Sequence, residues 1–392
     1  MRKHYRAYNR SPFSLLMFAA VLVLAAAVLF LVRRQGALSG SVDALMAENR
    51  RLQEQESAME AEIDALRRKK KLGRLSVEGT ELLGPDGTPV RLKGISSHGL
   101  AWYPEYTNYR ALKTIKGYGA NVFRIALYPD QNDGYLEEPE LNQKLLYQAV
   151  ENSLAAGLYT IIDWHVLQDE NPNRHLDEAL AVFEETAKHY GDEPGILYEI
   201  CNEPNGDTTY EDIAEYAGQV IPVIRKYAPN AVILVGTPGY CTSLSEAIRS
   251  PLPYENLMYT YHYYAGVSDC EFAVEEILRG LENGLPVFIS EWGIDSHVQE
   301  QGAWEETDVF LDFLDAQNLS WVNWSLCNKD EGYSLIGHEE TGVSGWTLDE
   351  LTPSGRYVVG RLQETGNVSE TMLWGLRAQE MAWIAFAVMG LF

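Results

Sequence analysis

The sequence from residue 198 to residue 206 reads Tyr-Glu-Ile-Cys-Asn-Glu-Pro-Asn-Gly and closes a strand-like run that begins at Gly195. Pro204 cannot extend a hydrogen-bonded ladder, so the predicted strand stops there and leaves Glu203 at its C-terminal tip. A carboxylate at the end of a buried strand is costly unless it has a partner or a chemical role. The stretch Ser290-Glu-Trp-Gly supplies a second such carboxylate, Glu291.

Strand-like and helix-like segments alternate on both sides of this stretch. The strand candidates are residues 90–96, 121–127, 159–165, 196–202, 231–236, 257–263, 286–291 and 320–325, and the helical patterns between them include residues 139–156, 176–190, 210–227, 270–283 and 305–317. Eight strands separated by helices indicate parallel βα units in an α/β fold, and the number favours a closed (β/α)8 TIM barrel over an open sheet. Residues 76–90 predict a preceding β-hairpin with a turn at Asp86-Gly87.

Charge is distributed unevenly along the chain. Residues 1–71 hold 13 basic and 7 acidic side chains, whereas the remaining residues hold 18 basic and 49 acidic ones. A body this acidic does not attract nucleic acid or anionic polysaccharide, so a neutral or cationic ligand is favoured. Four cysteines are too few for a disulfide scaffold. Cys201 and Cys327 lie in strand-like runs and indicate buried free thiols, while a bridge between Cys241 and Cys270 stays open.

The N-terminal segment predicts a membrane anchor. Residues 1–12 contain four basic side chains, and residues 15–32 form an unbroken apolar run of 18. At about 1.5 Å per residue the run spans roughly 27 Å, close to the thickness of a hydrocarbon core. A cleaved signal peptide is the alternative, but Arg33-Arg34 follow the run where a small-residue cleavage site is expected. We therefore predict a transmembrane anchor at 13–34, a cytoplasmic segment at 1–12 and a catalytic domain outside the cell membrane.

Residues 41–71 contain a seven-residue repeat that predicts a helical stalk. Two interpretations stay open, a parallel coiled-coil homodimer favoured by Asn49 and a solitary charged helix favoured by Glu56. One position of the repeat holds Leu45, Leu52, Met59 and Leu66. The position three residues before it holds Val42, Asn49, Glu56 and Ile63. The barrel follows at 72–365, with its last helix at 353–362. A tail at 366–392 ends in twelve apolar residues, too few to span a membrane, and its role is not predicted.

The C-terminal ends of the predicted strands carry the candidate site, because barrels of this kind place their active sites there. Two carboxylates facing each other across a barrel are what glycoside cleavage with retention requires, one to protonate the leaving oxygen and one to attack the sugar carbon, about 5–5.5 Å apart. We expect Arg124 and Tyr264 to keep Glu291 ionised, and an apolar setting to keep Glu203 protonated. Trp102, Tyr128 and Trp324 offer flat faces on which sugar rings can stack.

Six blocks of sequence, in order along the chain, carry a resemblance to a known family. They read Leu-Lys-Gly-Ile-Ser-Ser-His-Gly-Leu-Ala-Trp-Tyr at 92–103, Phe-Arg-Ile-Ala at 123–126, Ile-Asp-Trp-His at 162–165, the opening stretch at 198–206, Phe-Ile-Ser-Glu-Trp-Gly at 288–293 and Trp-Ser-Leu-Cys-Asn-Lys-Asp-Glu at 324–331. Over about residues 72–365 the chain resembles glycoside hydrolase family 5, in particular its bacterial endoglucanase subfamily.

The resemblance implies an endoglucanase (cellulase) that hydrolyses internal β-1,4-glucosidic bonds of cellulose or related β-glucans with retention. It implies that Glu203 is the acid/base and Glu291 the nucleophile. The supporting residues of the cleavage site would be Arg124, His165, Asn202, His262 and Tyr264. The residues that hold the glucosyl units on the non-reducing side would be His98, Trp102, Tyr103, Tyr128, Trp324, Lys329 and Glu331.

Other interpretations remain beside this one. His98, His165 and His262 each stand alone on their strands rather than in a ligand cluster, so we expect neither a metal nor a cofactor. Lys329 and Glu331 can pair with each other instead of with substrate. The same chemistry on mannan, xyloglucan or mixed-linkage glucan is the near alternative, since cleft shape sets preference. A membrane protein that binds glycan without cutting it is the alternative from another class.

Overall fold

The computed structural model describes residues 72–191, 193–297 and 301–364, together with Arg51. The predicted anchor at 13–34 and tail at 366–392 lie outside these residues, as does the stalk at 41–71 apart from Arg51, which is helical and exposed. Within the described part of the chain, no helix has the length and apolar character needed to cross a membrane. The anchor and the coiled-coil dimer therefore stay predictions from the sequence.

A two-stranded antiparallel hairpin, β1 (Ser76–Glu78) and β2 (Glu81–Leu83), precedes the main sheet. The hairpin was predicted, but its turn was placed wrongly. The strands reverse at Gly79, whose φ of 59° lies in the left-handed region that glycine tolerates. Asp86-Gly87 forms a second turn, which returns the chain from Leu83 to a single antiparallel bridge at Pro89.

Eight parallel strands close into a barrel, which confirms the predicted fold class. Each strand pairs with the next along the chain, and the last pairs with the first. The strands are β3 (Lys93–Ser97), β4 (Val122–Leu127), β5 (Tyr159–Trp164), β6 (Ile196–Glu199), β7 (Ile233–Val235), β8 (Leu257–Ala265), β9 (Val287–Ile294) and β10 (Trp321–Leu326).

The helices surround the barrel, and most lie where the sequence predicts them. The helices predicted at 139–156 and 176–190 have these bounds, whereas the one predicted at 305–317 begins at Gln301, four residues earlier than expected. The described helices are α1 (Tyr109–Tyr118), α2 (Pro139–Ala156), α3 (Leu176–Tyr190), α4 (Tyr210–Arg225), α5 (Pro238–Cys241), α6 (Ser245–Arg249), α7 (Cys270–Glu282), α8 (Gln301–Ala316) and α9 (Pro353–Gln363). Short 3-10 turns occur at Pro104–Thr107, Pro172–His175 and Leu348–Glu350.

The barrel interior is layered from its N-terminal to its C-terminal end. One apolar cluster fills the N-terminal end and is sealed from below by Leu75 and Leu82 of the hairpin region. Its strand members include Val122, Ile161, Leu197, Met258, Phe288 and Val322. Side chains two residues apart on a strand share a face, so the next interior layer follows directly from this one. In that layer Arg124, Asp163 and Glu199 are fully buried, and charge replaces hydrocarbon halfway up the barrel.

Lys93, on the first barrel strand, fastens the last helix to the barrel. Its ammonium donates to the backbone carbonyls of Arg361 at 2.7 Å and Glu364 at 3.0 Å, at the C-terminal end of α9. These carbonyls have no partner inside the helix, and a cation is favoured at this end of the helix dipole. Burial lowers the pKa of Lys93.

Gly94, next to Lys93, lies where β3 and β4 approach each other closely. A Cβ at this position would lie 2.0 Å from the carbonyl oxygen of Val122 on β4, so the strands must separate to admit it. We expect Gly94→Ala to lower the free energy of unfolding in urea by about 1–3 kcal/mol or more. In the matched control Gly218→Ala, on the exposed face of α4, a Cβ meets nothing within 4 Å. The control should be neutral or stabilise by up to about 1 kcal/mol, and equal effects for the two variants would contradict the expectation.

Candidate active site

A cleft of about 750 Å³ opens at the C-terminal end of the barrel. Both predicted catalytic glutamates line it, together with aromatic side chains from several strands and loops. Its walls include Tyr128, His165, Leu167, Tyr240, Tyr261, His262, Tyr264, Val267, Phe272, Trp324, Glu331 and Tyr333. The structure therefore gathers residues that are more than 200 positions apart in sequence into one cleft, at the end of the barrel where the sequence placed it.

Glu203 and Glu291 face each other in this cleft. A carboxylate oxygen of one lies within 4.8 Å of a carboxylate oxygen of the other, and the residues are only 9% and 4% exposed. This spacing matches the roughly 5–5.5 Å of retaining glycosidases and is shorter than the 6.5–9.5 Å that leaves room for a water in inverting ones. The geometry supports direct attack by one carboxylate on the sugar carbon.

The position of Glu203 departs slightly from the prediction. The ladder of β6 ends at Glu199, so Glu203 stands beyond the strand and not at its tip. Its backbone is nevertheless tied to the end of β5, since the Glu203 amide donates to the carbonyl of Val166 at 3.0 Å. The Asn205 side chain also donates to the Glu203 carbonyl at 2.8 Å. These bonds hold a non-ladder segment in a fixed place.

One guanidinium, that of Arg124, joins three strands at the floor of the site. Its Nε donates to Glu199 at 2.6 Å, Nη1 to Glu291 at 2.9 Å and Nη2 to the Asn202 carboxamide oxygen at 2.6 Å. Nη2 also lies 3.0 Å from Asp163. Burial opposes the charge, but Asp163, Glu199 and Glu291 outweigh it and raise the pKa of Arg124 well above its usual range.

Glu291 is held through both of its oxygens. Oε2 accepts from Arg124, and Oε1 accepts from the Tyr264 hydroxyl at 2.6 Å. Burial raises the pKa of Tyr264 well above its ordinary value, so the hydroxyl keeps its proton and remains a donor. Arg124 and Tyr264 thus occupy the positions the sequence predicts beside Glu291, and they leave its oxygens oriented for attack.

Glu203 has the opposite environment. Burial raises its pKa to about 7, Arg124 opposes the rise, and the nearby charge of Glu199 adds to it. Its Oε1 lies 2.8 Å from Nδ1 of His262, whose Nε2 lies 2.9 Å from the Ser290 hydroxyl. Burial lowers the pKa of His262 to about 4, so this ring is neutral at neutral pH. A carboxyl that retains its proton near neutrality can act as a general acid.

Asn202 and His165 continue the hydrogen-bond network beside Glu203. The Asn202 amide nitrogen donates to the carbonyl of Val166 at 3.1 Å and lies 3.3 Å from Nε2 of His165. Nδ1 of His165 is 2.6 Å from Asp163. Burial lowers the pKa of His165 well below its usual value. Both residues therefore join the predicted cluster, and the structure shows how each is oriented.

Aromatic rings form the wall on one side of the two glutamates. Tyr128 lies 4.7 Å from Trp102 and 4.1 Å from His165, measured between ring centroids, and Trp324 stacks on His165 at 5.1 Å. His98 contacts Trp102, Tyr103 and Trp324 at 5.0–5.7 Å. The predicted aromatic residues therefore pack against one another. Tyr128 and Trp324 line the cleft, whereas His98, Trp102 and Tyr103 are not among its lining residues.

Lys329 and Glu331 lie at the edge of this wall and pair with each other at 2.6 Å. The ammonium of Lys329 is also 3.3 Å from Nε2 of His98, and burial lowers the pKa of His98 to about 3. The pairing predicted as an alternative to substrate contact is present. Glu331 lines the cleft, so its carboxylate is available there while it pairs with Lys329.

The opposite wall was not predicted. Tyr240, Val267 and Phe272 line the cleft and are 51%, 78% and 52% exposed, so they place apolar surface on the far side of Glu203. Tyr240 belongs to a turn of three successive left-handed residues, Gly239, Tyr240 and Cys241, with φ of 68°, 60° and 58°. Such angles in non-glycine residues are unfavourable. The Cys241 thiol stabilises the turn by donating to the Asn202 carbonyl at 2.8 Å.

Glu199 and Asp163 are further residues that the sequence reasoning did not assign a role. Glu199 follows Leu197 by two positions, as Arg124 follows Val122 and Asp163 follows Ile161. This period of two could have shown that all three face the barrel interior. Glu199 was missed because the strand was predicted to run from 196 to 202, which placed Glu199 in its middle, whereas the ladder of β6 ends at Glu199. Asp163 lies close to the end of β5 but was given no role. All four cysteines are free thiols, so the Cys241–Cys270 bridge left open by the sequence is not formed.

Two groups of described residues have a donor geometry that a metal could use, Glu203 with His262 and Glu291, and His98 with Cys327 and Glu331. In the first group the Glu291 oxygens already accept from Arg124 and Tyr264, and both ring nitrogens of His262 have polar partners. The guanidinium 2.9 Å from Glu291 also repels a second cation. The atoms of Glu203, His262 and Glu291 are therefore better suited to hydrogen bonding and proton transfer than to metal binding.

A (β/α)8 barrel with two close carboxylates in an aromatic cleft has the structure of a retaining glycoside hydrolase. The family model for cellulase, glycosyl hydrolase family 5, matches residues 83–330. An endoglucanase of Clostridium saccharobutylicum is 37% identical over 302 residues, which cover 76% of this chain and 67% of that protein. Endoglucanase A of Evansella cellulosilytica is 41% identical over 286 residues, covering 72% of this chain and 58% of that protein. The chain belongs to glycosyl hydrolase family 5.

Solved structures agree with this assignment. Cellulase Cel5C_n superposes with a TM-score of 0.71 at 34% identity and covers 76% of this chain and 94% of that one. The catalytic domain of Thermobifida fusca endoglucanase Cel5A gives 0.70 at 30% identity, covering 74% and 98%. A β-mannanase of Streptomyces thermolilacinus shares the fold, with a TM-score of 0.58 at 23% identity and coverage of 76% and 99%.

Arg124 should contribute strongly to stability as well as to the site. Arg124→Met leaves buried carboxylates without their cation, so we expect the free energy of unfolding in urea to fall by about 3–5 kcal/mol at neutral pH. The matched control is Arg249→Met, which removes an ion pair with Glu246 whose arginine side chain is 70% exposed. That control should change stability by less than about 1 kcal/mol. An Arg124 variant as stable as the control would contradict the shared role of the guanidinium.

Proposed function

We propose that this protein is a retaining endo-β-1,4-glucanase that hydrolyses internal bonds of cellulose or a related β-glucan. The observation that carries the proposal is the pair Glu203 and Glu291, with carboxylate oxygens within 4.8 Å and contrasting environments. The endoglucanase relatives support the choice of substrate class, and one of the related Thermobifida fusca structures is a complex with cellotetraose. The acidic body of the chain is compatible with an uncharged polyol substrate.

In the first half of the reaction, the Glu203 carboxylic acid donates its proton to the glycosidic oxygen as the bond to the sugar carbon breaks. Glu291 attacks that carbon from the opposite face and forms a covalent glycosyl ester. Tyr264 and Arg124 hold the two Glu291 oxygens, which limits the reorganisation needed for attack. The released chain departs with the proton from Glu203.

In the second half, Glu203 is a carboxylate and accepts a proton from water. As the proton leaves, the water oxygen attacks the same sugar carbon and the ester bond to Glu291 breaks. The configuration is retained because the carbon has been inverted twice. Glu203 is protonated again at the end, so the site returns to its starting state. Nδ1 of His262 lies 2.8 Å from Oε1 of Glu203, and this neutral ring orients the carboxyl.

The aromatic wall of His98, Trp102, Tyr103, Tyr128 and Trp324 supports the proposal that the non-reducing side of the glucan binds there. Flat apolar faces bind the hydrophobic faces of pyranose rings, while indole N–H groups and hydroxyls can reach sugar hydroxyls. The Lys329–Glu331 pair at the edge of the wall offers charged hydrogen-bond partners. Cleavage within a chain requires a cleft that continues past both glutamates, and Tyr240 and Phe272 line that continuation.

The substrate assignment is tested by measuring reducing ends released from carboxymethyl cellulose, mixed-linkage β-glucan, mannan and xyloglucan. We expect the highest kcat/KM on a β-1,4-glucan, with a rapid fall in viscosity because internal bonds are cut. A preference for mannan or xyloglucan would change the proposed substrate but not the proposed reaction mechanism. Binding of glycan without release from any of the four would contradict the enzyme assignment.

The nucleophile is tested by Glu291→Ala. Without the carboxylate no glycosyl ester can form, so we expect kcat on an activated aryl cellobioside to fall by about 10⁴-fold or more. Added azide can enter the vacated space and attack the sugar carbon directly. The product should be a glycosyl azide of inverted anomeric configuration, identified by proton NMR. Substantial activity of the variant without azide would exclude Glu291 as the nucleophile.

A further inference from the structure

Glu199 is a buried carboxylate that the proposed reaction does not use. It is fully buried, lies four residues before Glu203, and is absent from the described residues that line the cleft. Because no part of this residue is exposed, a sugar bound in the cleft would not touch it. A charged side chain in the interior of a barrel is costly, so its contacts should account for its presence.

The first contact of Glu199 orients the guanidinium of Arg124. Oε2 of Glu199 accepts from Nε of Arg124 at 2.6 Å. A guanidinium is planar, so a bond at Nε restricts rotation and directs its two remaining nitrogens. Those nitrogens donate to Glu291 and to Asn202, the neighbour of Glu203. Glu199 is thereby linked through one rigid group to both catalytic segments.

The second contact of Glu199 faces the imidazole that touches Glu203. Oε1 of Glu199 is 4.0 Å from Nε2 of His262, and Nδ1 of the same ring is 2.8 Å from Glu203. Oε1 finds no hydrogen-bond donor among the described residues. The carboxylate charge is shared between both oxygens, and Arg124 pairs with it through Oε2. Oε1 therefore carries negative charge toward the ring of His262 and the Glu203 carboxyl beyond it.

The charges around this cluster are unequal in number. Arg124 faces three carboxylates, Asp163, Glu199 and Glu291, and is the one permanent cation paired with them among the described residues. Glu203 lies on the other side of His262. Burial raises the pKa of Asp163 to about 7 and also raises the pKa of Glu199, in both cases against Arg124. Among the described residues, the titratable groups that surround Glu199 and Glu203 are Arg124 and Tyr128 from β4 and its end, Asp163 and His165 from β5 and its end, Cys201 just after β6, Cys241 from α5, His262 and Tyr264 from β8, and Glu291 from β9.

We propose that Glu199 is a positioning residue with two separable effects: its oxygen orients Arg124 toward Glu291 and Asn202, and its negative charge keeps the proton on Glu203. Its kinetic consequences rest on the proposed glycoside hydrolysis. Glu203 must be protonated to act as the acid, so kcat/KM is high below the pKa of Glu203 and is lost as pH rises through about 7. Removing the charge of Glu199 should move this loss to lower pH.

Two substitutions separate the effects. Glu199→Gln keeps an oxygen that can accept from Arg124 and removes the charge. We expect its kcat at about pH 5 to stay within roughly threefold of wild type, with the descending limb of kcat/KM shifted down by roughly half a pH unit or more. Glu199→Ala also removes the acceptor, and we expect kcat to fall about tenfold or more at every pH with little change in KM. The matched control is Glu246→Gln, an exposed helix residue outside the site, whose profile should superpose on that of wild type.

A second measurement does not depend on turnover. Carboxyl-labelled glutamate allows the titration of Glu203 to be followed by carbon-13 NMR, with assignments from Glu203→Gln and Glu199→Gln. The Glu203 carboxyl should titrate near pH 7 in wild type and at lower pH in Glu199→Gln. Glu199 should be ionised in wild type at the pH where Glu203 titrates. This result would support the proposal even if every glucan proved inert, which would contradict only the proposed function.

Three results would overturn the proposal. One is a Glu199→Gln profile and Glu203 titration unchanged from wild type, which would show that the charge has no effect. Another is full activity in Glu199→Ala, which would show that Arg124 needs no acceptor at this position. The third is a wild-type Glu199 that stays protonated while Glu203 titrates, and this measurement decides the question if neither variant folds.

Discussion

The site depends on the burial of a single guanidinium inside a closed barrel. Arg124 brings its charge to a place that water does not reach, and the cost of doing so is offset only because carboxylates from β5, β6 and β9 surround it. Because these partners come from different strands, the ion pairs also fix how the strands are arranged across the barrel. The nucleophile and the segment that carries the acid are held by two nitrogens of the same planar group.

The layered interior explains how such a cluster can exist in a stable protein. Hydrocarbon fills the N-terminal half of the barrel and is sealed by the hairpin, so that the charged layer rests on a dry and closely packed base. Above it the cleft opens between an aromatic wall on one side and Tyr240, Val267 and Phe272 on the other. The opposed glutamates lie at the boundary between the dry layer and the open cleft. Their environments differ because their partners differ. Glu203 is paired with a neutral ring, and Glu291 with a cation and a hydroxyl.

Much of this arrangement follows from local sequence. Pro204 indicates that a strand has ended before it, and the alternation of strands and helices implies a barrel. Since a barrel places its strand ends together, the glutamate pair and its aromatic neighbours could be predicted, although the ladder already ends at Glu199. The hairpin turn was misplaced because Gly79 and Asp86-Gly87 both suit a reversal, and the strand pairing decides between them. Glu199 was overlooked although its period-two spacing was visible. The turn at Gly239–Cys241 could not be predicted, because its unfavourable angles are stabilised by the distant Asn202 carbonyl and the Pro204 carbonyl, which accepts from the Tyr240 amide.

The bond between Lys93 and the end of α9 joins the first strand of the barrel to its last helix. Since β10 also pairs with β3, the sheet of the described barrel is closed, although no peptide bond joins its last helix to its first strand. The folded state then depends more on closure of the sheet than on which βα unit comes first in the chain. Circular permutants that begin in an exposed loop should therefore reach the same fold, and a single cooperative unfolding transition would identify those that do.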